Sequence, residues 1–187
     1  MLKTSILVSL MAMGLFFNAC SNNDEKQLDE ANAVLSTNDF VLTALDNKQY
    51  NVTKTVDGFS VEGQKGKVII IDIFATWCPP CQAEATHLSS LQKKYKDSLL
   101  VMGVTVEDNI DNAKLQKFRA EHNANYTLVN SNENSRLIDA VALQLRVGNN
   151  FGIPLMALYK DGVFLKYYQG ATEEEFLEQD IKEALGL

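Results

Sequence analysis

The chain has 187 residues, 46% of them hydrophobic, and a formal net charge of -7. This length suits one ordinary domain with a single core. The negative charge would repel a phosphate backbone, and the densest basic run, at Lys93, Lys94 and Lys96, falls in a helical pattern where lysines are usually solvated. Nucleic acid is therefore not an expected partner.

The first residues have the pattern of an export signal. Lys3 gives a short positive region, and Ile6 to Phe17 is an apolar run shorter than the roughly 20 residues that span a bilayer. Ala19 before Cys20 resembles the bacterial lipobox, in which the signal is removed and the cysteine is acylated. We therefore predict a lipoprotein signal peptide over residues 1–19 and a lipid on Cys20. The alternative is ordinary cleavage that leaves Cys20 as a free thiol.

The polar segment that follows is predicted to be a flexible tether. Residues 20–37 contain little that could form a core, so the domain is expected to span residues 38–187. Three cysteines are an odd number for an exported protein. A lipid on Cys20 would leave Cys78 and Cys81 as a local pair.

Short β patterns open the domain. Phe40–Leu45 and Tyr50–Val52 flank a turn at Asp46–Lys48 and predict a hairpin, with a further β signal at Gly58–Val61. Lys67–Phe74 is a nearly continuous apolar, β-branched run, which is typical of a strand buried on both faces of a sheet.

Helical and β patterns then alternate along the chain. An apolar stripe from Cys81 to Tyr95 predicts a helix of about four turns. Thr172 and Glu175 have the spacing of a capping box at the start of the last helix. This order predicts an α/β fold with a central mixed sheet flanked by helices. The other predicted elements are strands at Leu99–Val106, Tyr126–Val129, Leu155–Tyr159 and Val163–Tyr168, the last two joined by a turn at Asp161-Gly162, and helices at Asn112–Glu121, from Ser135 to about Gln144, and up to Leu185.

The segment Cys78-Pro79-Pro80-Cys81 joins the buried strand to the long helix. A cysteine at the first turn of a helix lies at the positive end of the helix dipole, which favours thiolate over thiol, so Cys78 is predicted to be the attacking sulfur. Cys81 follows one turn later, at a separation that a disulfide can bridge. Two prolines are tolerated there because the N–H groups of the first helical turn have no acceptor within the helix, so their loss costs no helical hydrogen bond.

Other uses of the two thiols fit less well. A structural zinc site needs a second Cys/His pair, and besides these thiols the domain offers only His87 and His122, which we expect to be surface helix residues without a role. A c-type haem site needs a histidine directly after the second cysteine, where this chain has Gln82. An inert structural disulfide would add little stability across so short a loop. We predict a redox-active disulfide, with no metal and no other cofactor.

The segment Ala75-Thr76-Trp77-Cys78-Pro79-Pro80-Cys81 resembles the active-site motif of the thioredoxin superfamily. The Pro-Pro dipeptide with a lipoprotein leader is most similar to TlpA/ResA-like membrane-anchored thiol:disulfide oxidoreductases. Over residues 38–187 the resemblance implies a thioredoxin-like fold with an N-terminal β-hairpin extension. It also implies that Trp77 and Pro79 contact the substrate.

The resemblance assigns a second segment to the site. Gly152-Ile153-Pro154 precedes a predicted strand, as the motif of this superfamily requires. The family implies that Pro154 is cis and faces the disulfide, and that Ile153 pairs through its backbone with a bound substrate segment. The alternative for Pro154 is an ordinary trans proline opening an edge strand.

Two acids are candidates for proton transfer. Asp72 stands in an otherwise apolar strand, where a charge is costly to bury. In thioredoxins an Asp at the matching position moves the proton of the second cysteine, whereas many TlpA/ResA-like proteins have Asn there. Glu84 matches an acid of the ResA-like group that lies near the cysteines. The alternatives are a solvated Asp at a strand end and a plain first-turn helix acid.

By resemblance, the protein is expected to reduce disulfides in exported proteins or apocytochrome c on the periplasmic side of a membrane. Its electrons would come from a membrane donor of the CcdA/DsbD type. Two alternatives stay open: a disulfide-introducing oxidase of the DsbA type, and a non-enzymatic metal chaperone with a thioredoxin fold. The reduction potential of the cysteine pair would distinguish a DsbA-type oxidase from a reductase.

Overall fold

The computed structural model describes residues 38–148 and 150–187. The predicted signal peptide, Cys20 and the tether lie outside these residues. The described part of the chain opens with a three-stranded antiparallel sheet in the order β1-β2-β3, so the predicted N-terminal hairpin is present and gains a third strand. These strands are β1 (Asp39–Thr43), β2 (Gln49–Lys54) and β3 (Phe59–Val61).

The central sheet has five strands in the order β6-β5-β4-β7-β8. Strand β4 lies in the middle, parallel to β5 and antiparallel to β7, so the predicted mixed sheet is confirmed. All seven residues of β4 and all seven of β5 are buried, which agrees with sequences that are apolar except for Asp72 in β4 and Thr105 at the end of β5. The strands are β4 (Val68–Phe74), β5 (Leu99–Thr105), β6 (Thr127–Val129), β7 (Leu155–Lys160) and β8 (Val163–Gln169).

Four described helices cover the central sheet. Residues of α1, α2 and α4 pack into one apolar cluster on one face, while α3 and the N-terminal sheet pack into a second cluster on the other face. None of the helices in the described part of the chain is long and apolar enough to cross a bilayer. The helices are α1 (Pro79–Lys94), α2 (Asn112–Glu121), α3 (Asn134–Leu145) and α4 (Glu174–Leu185).

The pleat of β4 determines where Asp72 points. Ile70 and Phe74 belong to the cluster that contains the buried residues of α1, and alternate residues of a strand share one face. Asp72 therefore lies on the face of the sheet that α1 covers. Its partner on β5 is Gly103, where a Cβ atom would come within 2.9 Å of the Tyr126 ring. A glycine at this position leaves room for Tyr126 beside Asp72.

The predicted capping box at the last helix is wrong. Helix α4 begins at Glu174 with Glu173 as its N-cap, and no side chain caps it. The Thr172 hydroxyl instead donates to the carbonyl of Gly170, and the Thr172 N–H donates to the Glu84 carboxylate. The Thr172 N–H, which a capping box would pair with the Glu175 side chain, is thus bonded to Glu84 on another helix instead.

Candidate functional site

The two cysteines lie at the amino end of α1 and form a disulfide. Cys78 is the N-cap residue, and its Sγ accepts the N–H of Cys81 at 3.4 Å, in the place where an N-cap oxygen normally accepts. Pro79 and Pro80 occupy the first two helical positions, and the Cα atoms of the cysteines are 5.3 Å apart. The helix that begins at Cys78 therefore supplies an N–H group to the sulfur as well as its dipole.

The turn before Cys78 is held by a carboxylate that the sequence analysis missed. Glu107 accepts the N–H of Thr76 at 2.7 Å and its hydroxyl at 3.1 Å, and it pairs with Lys114. Burial alone would raise the pKa of Glu107, but the hydrogen bonds from Lys114 and Thr76 outweigh it and lower the pKa. The sequence position of Glu107 could have indicated this contact. Glu107 lies two residues beyond β5, and the parallel neighbours β4 and β5 end at the same edge of the sheet, where Thr76 also lies.

The loop before β7 meets the disulfide. The Ile153–Pro154 peptide bond is cis, and Pro154 is buried. The carbonyl oxygen of Ile153 lies 3.7 Å from the Sγ of Cys78. The cis bond at Pro154 is therefore as the resemblance implied, and the residue before it contacts the disulfide, while pairing of Ile153 with a substrate stays a prediction.

The rim of the site is exposed, although the sulfurs are not. Cys78 is 3% exposed and Cys81 is 2% exposed. Trp77, which directly precedes the N-cap residue of α1, is 64% exposed. Pro79 is also exposed, and Trp77 lines a shallow groove together with Phe118. Substrate contact by Trp77 and Pro79 is consistent with this position and stays a prediction.

Asp72 is buried rather than solvated at a strand end. Its side chain accepts a hydrogen bond from the Tyr126 hydroxyl at 3.4 Å, while its Oδ1 has no hydrogen-bond partner among the described residues. Burial, together with the nearby charge of Glu84, raises the pKa of Asp72 from 3.8 to about 8, although the Tyr126 hydrogen bond acts in the opposite direction. Asp72 can therefore hold or release a proton near neutral pH.

Glu84 is also buried, one helical turn after Cys81. Its Oε2 accepts the Thr172 N–H at 2.7 Å, and its Oε1 has no hydrogen-bond partner among the described residues. Burial raises the pKa of Glu84, opposed by the Thr172 N–H and by the charge of His87. A plain first-turn helix acid would be solvated, so that alternative is wrong. Two buried carboxyl groups with raised pKa values therefore interact with each other, and one of them lies one helical turn after Cys81.

The fold and this site define a thiol:disulfide oxidoreductase of the thioredoxin type. The defining features are a Cys-x-x-Cys disulfide at the start of a helix, a cis proline directly after the residue whose carbonyl lies beside that disulfide, and a central mixed sheet. The chain belongs to the Redoxin family, whose sequence pattern matches residues 37–185.

Known proteins resemble this chain to different extents. The thiol-disulfide oxidoreductase ResA of Halalkalibacterium halodurans is 24% identical over 131 residues, which cover 68% of this chain and 69% of that protein. The thioredoxin-like protein YneN of Bacillus subtilis is 42% identical over 53 residues, or 27% of this chain and 31% of YneN. For several further curated relatives the match also spans only about a third of their length. A thiol:disulfide interchange protein of Chlorobium tepidum has a solved structure that superposes with a TM-score of 0.64 at 23% identity, covering 80% of this chain and 94% of that one.

Proposed function

We propose that this protein is a reductase that cleaves disulfides in exported proteins on the periplasmic side of a membrane. The pattern of residues 1–19 supports export, and the small residue before Cys20 supports a lipid anchor. The polar residues 20–37 would then hold the domain away from the membrane surface.

The buried carboxyl pair is the observation that carries the reductive direction. A strong oxidant such as DsbA owes its high potential to a stabilised reduced form. Here Cys81 is buried, Glu84 follows it by one helical turn, and Asp72 interacts with Glu84. Burial and nearby negative charge both favour the protonated thiol over the thiolate at Cys81. At Cys81 the reduced form therefore lacks charge stabilisation, which makes the dithiol a better electron donor than it would be with both sulfurs ionised.

The reaction balances in two exchange steps. The Cys78 thiolate attacks one sulfur of a client disulfide, that bond breaks, and the departing client sulfur takes up a proton. Cys81 then loses its proton to the carboxyl pair of Asp72 and Glu84, and its thiolate attacks the Cys78 sulfur. The mixed disulfide breaks, and the second client sulfur leaves as a thiolate and takes up a proton. The client leaves with two thiols, two electrons have passed to it, and the protein is left with the Cys78–Cys81 disulfide.

The oxidised protein must be reduced again before the next cycle. A membrane electron donor of the CcdA/DsbD type would supply two electrons by the reverse exchange through Cys78. The clients fit two classes, which are apocytochrome c with its paired thiols oxidised and exported proteins with incorrect disulfides.

The reduction potential of the Cys78–Cys81 pair tests the direction of electron flow. Equilibration of the purified protein with a dithiol buffer should give a potential near that of thioredoxin, about -270 mV, because the buried acids disfavour the thiolate. The Glu84→Gln variant should be more oxidising, since the amide removes a nearby negative charge. The exposed acid Glu183 provides the control, and Glu183→Gln should leave the potential unchanged.

A wild-type potential near -120 mV would instead identify an oxidase of the DsbA type and contradict the proposal. An unchanged potential in Glu84→Gln would show that the carboxyl pair does not set the direction.

A further inference from the structure

An open cavity of about 360 Å³ lies at the end of the central sheet opposite the disulfide. It is located at the amino ends of the parallel strands β4, β5 and β6, whereas the cysteines follow the carboxyl end of β4. Since a strand rises about 3.3 Å per residue, the seven residues of β4 place the cavity roughly 20 Å from the disulfide. The cavity therefore does not include the two sulfurs.

Positive side chains from four separate parts of the chain line this cavity. No run of basic residues in the sequence indicates the site, because the fold brings distant positions together. The four residues are Lys48 between β1 and β2, Lys67 before β4, Lys96 after α1, and Arg119 in α2.

The four cations have no acidic partner among the described residues. The chain has 24 Asp and Glu residues against 17 Lys and Arg, so acids are plentiful. Even so, no ion pair between described residues involves any of the four. In the described lining of the cavity Asp46 is the one acid, and its Oδ1 accepts the backbone N–H of Lys48. Positive charge is thus concentrated in a concave surface, where the field on an anion is focused.

Two of the cations are positioned by neighbouring aromatic residues. The Nη2 of Arg119 donates to the carbonyl oxygen of Tyr126 at 3.2 Å, which leaves further N–H donors for a ligand. The Nε of Arg119 is buried and has no hydrogen-bond partner among the described residues, which is unfavourable for the fold. The ammonium group of Lys48 lies 4.6 Å from the centre of the Tyr50 ring. The cavity therefore has donors already in place and lacks an acceptor for them.

The size and charge of the cavity define the class of ligand. Sites for small molecules begin at about 300 Å³, so this cavity fits a small ligand. Lysine and arginine side chains only donate hydrogen bonds, so the ligand must present acceptor oxygens. A phosphate monoester carries about -1.5 to -2 charges at pH 7, against one for a carboxylate, and the arginine fork matches its geometry. Four cations beside one acid therefore favour a phosphate group over a single carboxylate.

We propose that this cavity binds a small anion that carries a phosphate group, through Lys48, Lys67, Lys96 and Arg119. The phosphate group is either free in solution or the head group of a lipid, and both sources present the same chemistry. This inference does not rest on the proposed function, because the cavity lies at the other end of the sheet from the cysteines.

Calorimetric titration of the purified protein with inorganic pyrophosphate tests the site. We expect saturable one-to-one binding that weakens as the salt concentration rises. Lys67→Gln should lower the affinity by about tenfold, the loss of one charge-assisted hydrogen bond. Lys65 supplies the matched control, because it is exposed, lies two positions away and lines a different hollow beside Asp161. Lys65→Gln should therefore bind pyrophosphate as tightly as wild type.

A second measurement locates the ligand in the wild-type protein and so does not depend on a variant. Pyrophosphate should shift the backbone amide NMR signals of Lys48, Lys67, Lys96 and Arg119 and leave those around Cys78 unchanged. Absence of saturable binding, equal affinity of the Lys67→Gln and Lys65→Gln variants, or shifts confined to the start of α1 would overturn the inference.

A soluble short-chain lipid separates the two sources of phosphate. Dihexanoyl phosphatidic acid is titrated in the same way as pyrophosphate. Binding at least as tight as that of pyrophosphate, and weakened by Lys67→Gln, supports a lipid head group, whereas weaker or absent binding supports a free anion. Lys67→Gln should reduce insulin disulfides at the wild-type rate. Failure of wild type to reduce insulin would contradict the proposed function and leave the anion site standing.

Discussion

Replacing Cys81 with Ala should stop the reaction at the mixed disulfide, with the client covalently bound to Cys78. The reason is geometric, because Cys81 is the sulfur one helical turn away that displaces a captured client. Turnover should fall on the order of 10³-fold or more, since the nucleophile of the second step is gone. Cells expressing the variant are acid-quenched and alkylated, and membrane fractions are resolved on non-reducing gels. Mass spectrometry of the bands identifies the clients and reads the mass at Cys20.

The Cys78→Ala variant is the matched control and should form no mixed disulfides. Capture of clients through Cys81 in that variant would reverse the roles assigned to the two sulfurs. An unmodified Cys20 in the same spectra would contradict the lipid anchor without affecting the site.

Replacing Asp72 with Asn should stabilise the protein at alkaline pH. The pKa of this carboxyl is 3.8 when solvated and about 8 in the folded protein. Its contribution to stability is therefore complete below pH 3.8 and is lost as the pH rises through 8. One pKa unit corresponds to about 1.4 kcal/mol, so the loss has an upper bound of about 6 kcal/mol. Urea unfolding should show Asp72→Asn more stable than wild type at pH 8, and the two nearly equal at pH 4.

The same substitution should slow the release of client from the mixed disulfide. General acid–base groups contribute typically 10²-fold to 10⁴-fold, and Glu84 retains part of that role in the variant, so we expect a fall of about 10-fold to 100-fold at pH 7. Asp139→Asn, an exposed change of the same chemistry, should alter neither stability nor rate. An unchanged rate and pH profile in Asp72→Asn would remove Asp72 from proton transfer. Equal stability of the variant and wild type at pH 8 would contradict the raised pKa.

Asp72→Asn is expected to raise the stability of the protein and to slow the release of client. This combination is typical of a group whose burial is unfavourable for the fold but serves the reaction. A carboxyl in the middle strand of the sheet lowers the stability of the fold near neutral pH. The same burial places its pKa where a proton can be exchanged at working pH.

The parts of the fold that depend on local chemistry were predictable from the sequence. The run of apolar residues in β4 indicates a strand buried on both faces, and the helix over 112–121 has the predicted limits. The position of the Cys-x-x-Cys segment at the start of a helix was predictable, because prolines are tolerated in the first turn of a helix and not in its interior. Asp72 was found because it is a charge inside an apolar run.

The remaining site residues depend on tertiary contacts that no local pattern records. Tyr126 acts on Asp72 across the space that Gly103 leaves open. Thr172 matched a capping pattern but donates its N–H to Glu84, which lies 88 positions away in the chain. The contact of His87 with the Thr172 carbonyl depends on the same distant loop.

The ionised sulfur at the start of α1 is tested most directly by the pH dependence of alkylation. The reduced protein is treated with iodoacetamide at a series of pH values, and modification of each cysteine is read by peptide mass spectrometry. Cys78 should react first, with a midpoint clearly below that of a cysteine in an unfolded peptide, because it caps the helix, while Cys81, one turn inside the helix, reacts later. Equal reaction of both thiols, with the midpoint of free cysteine, would contradict the account.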